Sequence, residues 1–261
     1  MNPFELNDIP KEIKKGLSKI IYIMFPKQGW TSDVGIIVTD DGKFVIKRSK
    51  GEKYSSWLKQ EIFVLNALSK TNLPVPKVIH YAVRKEETWA MLEFMEGQTL
   101  RDYLLHEKDM HKRQEALYQF GKTLAQIHST DCPAELRSDK PWLSRMLEKA
   151  QFYLENYEVV GSRELLEKLQ QQQLKPSAQT LIHGDFTIDN VLIKDGEITS
   201  IIDWSGGSYG DPRYDIALAI RPKQNAFEAD SDLQKFYEGY GGQKISPEEY
   251  TYFEEGLYEF F

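Results

Sequence analysis

Asp185, Asn190 and Asp203 are the residues whose types and spacing could do chemistry. They lie in LIHGDFTIDNVLI (181–193) and IIDW (201–204), with Asn190 five residues after Asp185 and Asp203 eighteen after it. Phosphoryl transfer asks little covalent work of a protein. It needs a carboxylate beside the acceptor hydroxyl, an Asn and an Asp for Mg²⁺, and a Lys on the phosphates. Asp185 suits the first role, accepting the acceptor's proton and orienting it. Asn190 offers a neutral oxygen and Asp203 a charged one, a donor pair that suits a hard cation. Asp189 is a rival ligand read as a loop residue, and His183 reads as a structural imidazole within the loop. A lone His-Gly-Asp would be ordinary turn chemistry. The full spacing, with apolar strands on both sides, decides against that.

The first third of the chain supplies a matching half. Protein kinases separate their catalytic Asp from a metal-binding Asn by the same five residues and place a second metal-binding Asp after a hairpin. FVIKR puts Lys47 at the end of an apolar strand, the place of a phosphate-binding Lys, and Glu61 on the next helix is placed to pair with it. Upstream, QGWTSDVG (28–35) is neither a Walker loop nor a complete glycine-rich loop, yet backbone N–H groups around Thr31 and Ser32 are candidates to cradle phosphate oxygens. Val45, Leu92 and Ile202 are candidate apolar walls of a purine pocket, with backbone at 93–95, from Glu93 to Met95, on the base edge. For each of these three, plain core packing is an equal reading.

Elements that position these residues follow from pattern. Segments 33–38 and 43–48 are β-prone and flank Thr39-Asp40-Asp41-Gly42, a hairpin signal. Residues 55–68 carry Trp57, Leu58, Ile62, Leu65 and Leu68 at helical spacing. LPVPKVIHYAVR opens with two prolines and continues as a strand, and 89–95 returns after a turn at 85–87. Beyond Gly97 the composition turns helical, with Leu117, Phe120, Leu124 and Ile127 on one face of 113–129. Further helices are expected at 141–157, 161–172, 213–221, 229–239 and 247–260. One short β segment, 190–203, turns at Lys194-Asp195-Gly196. The expected fold is α+β and two-lobed, with a small antiparallel β-sheet lobe with one helix at 1–96 and a larger, mainly helical lobe at 97–261.

Composition bounds the rest. The 261 residues carry 33 basic and 40 acidic side chains, a net charge of −7, which argues against nucleic acid as the main partner and is compatible with a cationic one, although solubility alone is the simpler reading. Cys132 is the single cysteine, so an intramolecular disulfide and a cysteine-based metal site are excluded. The N-terminus lacks the apolar core of a signal peptide, and IIYIMF (20–25) is far too short for a membrane span and reads as buried structure. A cytoplasmic monomer or weak dimer is the expectation.

On these residues the chain resembles the aminoglycoside phosphotransferase family, which is kinase-like in fold. LIHGDFTIDNVLI, IIDW and GDPRYDIALAIR (210–221) match, and the resemblance runs nearly end to end. LPVPKVIHY, LAQIHSTDCP and EEGLYEFF look like the aminoglycoside 3′-phosphotransferase branch in particular. The resemblance implies that Asp185 is catalytic, that Asn190 and Asp203 hold Mg²⁺, and that Lys47 with Glu61 positions the phosphates of ATP, with GTP as the alternative donor. Asp215 and Arg213 would tie the following helix to the active-site loop. It further implies a cationic amino sugar as acceptor, met by Glu155, Glu158, Glu259 and the Phe261 carboxylate. The sequence departs from the branch at Tyr258, where an Asp is usual, in the shortened YEVVGS loop, and in a catalytic loop without the usual glycine. Another hydroxylated acceptor (a macrolide, choline or a metabolic sugar) is therefore the alternative, as is a nucleotide-binding pseudokinase. Protein kinase activity is disfavoured, because no activation segment separates IIDW from GDPRYDIA. Resistance and metabolism both remain open as the biological role.

Overall fold

The computed structural model describes residues 2–26, 29, 31–172 and 174–261, so Gln28 and Trp30 of the expected phosphate-cradling turn lie outside the described residues. Two compact units are present: Met1–Glu96 with Ser200–Gly206, and Gly97–Thr199 with Gly207–Phe261. The strip 200–206, which sequence order puts in the helical lobe, therefore groups with the first unit.

In the first unit, α1 (Lys11–Lys14) precedes β1 (Ile20–Met24), β2 (Asp33–Thr39), β3 (Gly42–Lys50), α2 (Glu52–Leu68), β4 (Val78–Val83) and β5 (Glu87–Glu93). The strands form one antiparallel sheet in the order β1-β2-β3-β5-β4. Thr39 closes the β2–β3 turn by donating from its hydroxyl to the Gly42 carbonyl. Because strand side chains alternate, β3 serves two environments. Ile46 joins Phe4, Ile13, Ile37, Trp89 and Met91 in a core on one face, while Lys47 points to the other, toward α2. Arg48, on the core face, is buried between the rings of Phe4 and Trp89 and bonds Asp33.

Residues 20–25 correct one expectation. They form an edge strand in which Ile20 and Ile23 pack on the core, but Ile21, Tyr22 and Met24 are exposed. A register shift between Ile20 and Tyr22 leaves two consecutive side chains, Ile21 and Tyr22, facing outward, and an edge strand has a neighbour on one side only.

The second unit runs through β6 (Gln98–Thr99), α3 (Leu100–His106), α4 (Met110–Ser129), α5 (Trp142–Asn156), α6 (Arg163–Gln171), β7 (Thr180–Ile182), β8 (Val191–Lys194), β9 (Glu197–Ile201), β10 (Ser208–Gly210), α7 (Pro212–Ala219), α8 (Asp230–Tyr240) and α9 (Pro247–Phe253). β9 is the strand along which the chain passes back into the first unit. Trp142, Leu147, Tyr214, Phe253, Leu257 and Phe260 build the main core. Alongside it α4 packs on α8, where a Cβ on Gly121 or Gly239 would run into the backbone of the other helix. The helix expected at 247–260 is broken: α9 ends at Phe253, and a separate 3-10 turn, Leu257–Phe260, follows Gly256. That break aims Tyr258 differently from any continuation of α9.

Candidate active site

Lys47 sits mid-strand in β3, not at its end, paired with Val34 of β2 and Ala90 of β5. Its ammonium donates to both carboxylate oxygens of Glu61, at 2.8 and 3.0 Å, and also binds the Asp203 carboxylate. Glu61 lies on the buried face of α2 among Leu58, Ile62 and Leu65. Burial alone would push the Lys47 ammonium down, but Asp203 and Glu61 more than reverse that and hold it above the usual lysine range. For Glu61, burial pushes the carboxyl up against the opposing pull of Lys47.

Asp203 adopts φ +62°, a left-handed conformation that costs energy for a residue with a Cβ and recurs at functional sites. Its neighbours hold it there. Ile201 N–H and the Ser200 hydroxyl both donate to the Pro74 carbonyl, and the indole of fully buried Trp204 donates to the Ile201 carbonyl at 3.0 Å. Val45 and Leu92 are direct cross-strand partners, on the same sheet face as Lys47. Leu92 is buried, and Val45, Glu93, Met95 and Ile202 are half-buried. Ser32 shares a 2.6 Å hydrogen bond with Ser49, and Thr31 beside it is half-buried.

The second unit builds the loop at 183–190 around one buried acid. β7 pairs with β10, and Asp211 caps the N-terminus of α7. Asp215 on α7 has no exposed surface. One of its oxygens accepts the His183 N–H at 2.6 Å, and the other accepts the Gly184 N–H at 2.7 Å. Gly184 adopts φ +82°, which only glycine reaches cheaply. His183, wholly buried, accepts the Asp185 N–H on Nδ1, an imidazole bonded within its own loop. His128 of α4 touches Asp215 at 3.3 Å and is held from its other nitrogen by the Tyr240 hydroxyl, whose phenol burial pushes up to about 12. Arg213 does not reach the loop. It binds Asp211, Glu249 of α9 and the Lys175 carbonyl.

Asp185 is thereby presented beside Asn190, whose amide N–H₂ donates both to the Asp185 carboxylate (2.9 Å) and to its carbonyl (2.8 Å). That bonding commits the Asn190 nitrogen and leaves the amide oxygen as the hard donor atom of this side chain. Asp189 is engaged by the Arg101 guanidinium through both carboxylate oxygens, which gives the rival ligand a structural partner. On the other side of Asp185, the Tyr258 hydroxyl donates to Oδ1 at 3.2 Å. The negative charge of Asp185 comes first among the causes that raise the Tyr258 phenol, and burial second. Arg221, at the end of α7, lies over the Tyr258 ring at 4.4 Å and is ion-paired with Glu254.

Of the expected acceptor residues, Glu155 is exposed and bonded to Gln151, and Glu158 is exposed. Glu259 and Phe261 follow Tyr258 on the terminal turn, where Gly161 N–H donates to the Glu259 carbonyl and the Phe261 ring meets Tyr153. Sequence reasoning did not assign roles to Arg221 or His128. A polar residue interrupting an apolar helix end, as Arg221 does after IALAI, was the available signal. Among the described residues no cluster of three or more His, Cys, Asp or Glu could hold a metal ion, and no helix is long and apolar enough to cross a membrane.

The model of the phosphotransferase enzyme family, APH, matches residues 23–250. The chain belongs to this family. Family membership spans both units, and Asp185, Asn190 and Asp203 lie inside the matched stretch. Among curated relatives, an aminoglycoside 3′-phosphotransferase of Enterococcus faecalis is 26% identical over 178 residues, 64% of this chain and 66% of that protein. Acyl-CoA dehydrogenase family member 11 of Gallus gallus is 30% identical over 180 residues, 62% of this chain. The chain spans only 16–22% of the length of the acyl-CoA dehydrogenase family relatives it matches first. Among solved structures, an aminoglycoside 3′-phosphotransferase of type VIII superposes with TM-score 0.76 at 18% identity, over 95% of this chain and 96% of that one. The fold is thus the α+β fold of kinase-like phosphotransferases.

Proposed function

We propose that this family member is an ATP-dependent O-phosphotransferase acting on a small hydroxylated molecule. The observation that carries the reading is Asp185 in its loop. It is a carboxylate held by Asn190, on a backbone clamped by buried Asp215, with a hydroxyl already seated on its Oδ1. In the reaction the acceptor oxygen attacks the γ-phosphorus, the bond to ADP breaks, and Asp185 takes the hydroxyl proton. Lys47, kept charged by Glu61, contacts the phosphates. Thr31, Ser32, Val45, Leu92, Glu93, Met95 and Ile202 line the nucleotide side.

The donor chemistry fits Mg²⁺: an amide oxygen, as on Asn190, and a carboxylate, as on Asp203, are each the kind of hard ligand it takes. When bound, the ion neutralises charge on the phosphates. ATP rather than GTP is the proposed donor. A solved relative, aminoglycoside phosphotransferase APH(4)-Ia, carries ADP and hygromycin B in its complex.

For the acceptor, the relatives' names favour an aminoglycoside-like amino sugar, with Glu155, Glu158, Glu259 and the Phe261 carboxylate as the groups that would meet its ammonium groups. A second reading, a hydroxylated acceptor without amines, is favoured by the phenol and guanidinium beside Asp185. Either way the reaction is testable by coupled ATP and GTP turnover with Mg²⁺ across aminoglycosides, macrolides, choline and sugars. Asp185→Ala should lower kcat by roughly 10²–10⁴. Turnover with no acceptor in the panel, or undiminished turnover in that variant, would sink the proposal.

A further inference from the structure

Tyr258 occupies the place on Asp185 that an acceptor needs. An alcohol about to be phosphorylated puts its hydroxyl hydrogen on the catalytic carboxylate, and the Tyr258 hydroxyl is already there at 3.2 Å. The acceptor must share that carboxylate with the phenol or displace it. What surrounds the phenol then decides which acceptors approach.

The surroundings are cationic and aromatic. Arg221 covers the Tyr258 ring at 4.4 Å, and its charge reaches Asp185 as well. Glu254 is bound to Arg221, and Asp189 of the catalytic loop is bound to Arg101, so guanidinium groups already engage both. Lys223, two residues beyond Arg221, is half-buried. Burial first, and then the like charges of Arg221 and Arg101, push its ammonium down. Toward the C-terminus, the Lys149 ammonium lies 5.4 Å over the Phe261 ring and 5.3 Å over Tyr153. An incoming ammonium group would meet the Arg221 guanidinium on the Tyr258 ring.

We infer that Tyr258, backed by Arg221, selects the acceptor: the groups flanking the hydroxyl that reaches Asp185 are uncharged or anionic, not amines. The matching compounds are unaminated sugars, polyols and hydroxy acids. This rests on the proposed role of Asp185, and it narrows the acceptor class for that same site.

The test is a calorimetric titration of tobramycin, a polyamine probe, into the full chain with Mg²⁺ and a non-hydrolysable ATP analogue. Wild type is compared with Tyr258→Phe and Tyr258→Asp, thermal unfolding confirming that each variant is folded. Tyr258→Asp should bind tobramycin about tenfold more tightly than wild type, with Tyr258→Phe within about threefold of wild type. The inference is overturned if wild type binds as tightly as Tyr258→Asp, or if Tyr258→Phe tightens binding as much. Should Tyr258→Asp not fold, Arg221→Gln reads the same field: severalfold tighter binding supports the selection, and no change overturns it. ADP release in wild type and Asp185→Ala is followed in parallel. Equal release in the two defeats the phosphotransferase reading itself, whereas the ratio of tobramycin affinities reports on selection alone.

Discussion

The carboxylate of Asp215, with no exposed surface, receives the backbone N–H of His183 at 2.6 Å, and its second oxygen receives the next N–H along. Two consecutive amides at the start of the Asp185 loop therefore depend on one side chain from α7. Charge-assisted bonds of this kind are roughly twice as strong as neutral ones. Replacing Asp215 with Ala leaves both N–H groups and His128 without it. The expected cost is about 2–4 kcal/mol, from one buried and one partly buried donor left unsatisfied. Urea unfolding of Asp215→Ala against wild type measures it, and a difference under about 1 kcal/mol would contradict the clamp.

Lys47 links stability to alkaline pH. Its folded-state pKa lies above the ordinary value because Asp203 and Glu61 outweigh burial. A raised pKa on a cation means the stabilisation is complete below the unfolded value, about 10.4, and is lost as pH rises through the folded one. The stability difference between wild type and Lys47→Met should be flat from about pH 7 to 10 and should shrink above that. Denaturation midpoints across this range are the measurement. A difference that grows with pH would reverse the assignment.

Gly184 has φ +82° between two residues whose N–H groups are committed. An alanine there must hold a left-handed backbone, so Gly184→Ala should lose about 1 kcal/mol or more. Activity should fall further than stability, because Asp185 follows directly. Unfolding midpoints and kcat measured together separate the two effects, and an unchanged kcat would show that the loop tolerates the shift.

Arg101 and Asp189 are both partly solvent-exposed, so their ion pair contributes modestly to stability. Arg101→Ala should therefore change the unfolding free energy by less than about 1 kcal/mol. It should nonetheless release a carboxylate one residue from Asn190 and alter the Mg²⁺ dependence of turnover. Arg101→Ala combined with Asp189→Asn should restore that dependence. Failure of the double variant to restore it would place the effect elsewhere.

Much of the site is legible in the order of residues. The five-residue step from Asp185 to Asn190 and the hairpin before Asp203 reflect local geometry, because a loop, a turn and a short strand read mostly their own sequence. Lys47 and Glu61 are legible for a related reason: a charged residue amid a strand's or helix's apolar run is worth noticing wherever it falls. Edge status is not so encoded, which is why IIYIMF reads as buried yet exposes Ile21, Tyr22 and Met24. Which strand has a neighbour on one side only is a property of the sheet, not of the strand.

By itself, then, the sequence determined the α+β order of elements, the family and the candidate acid Asp185, since each rests on short-range spacing and periodicity. Only the tertiary structure decided what stands on that acid. Asp185 and Tyr258 are 73 residues apart, and Arg221 and Glu254 are separated by 33. Their meeting depends on α7 and α9 packing side by side and on the chain breaking at Gly256, which turns the terminal segment back onto the loop. Long-range packing of that kind leaves no periodic trace in the sequence.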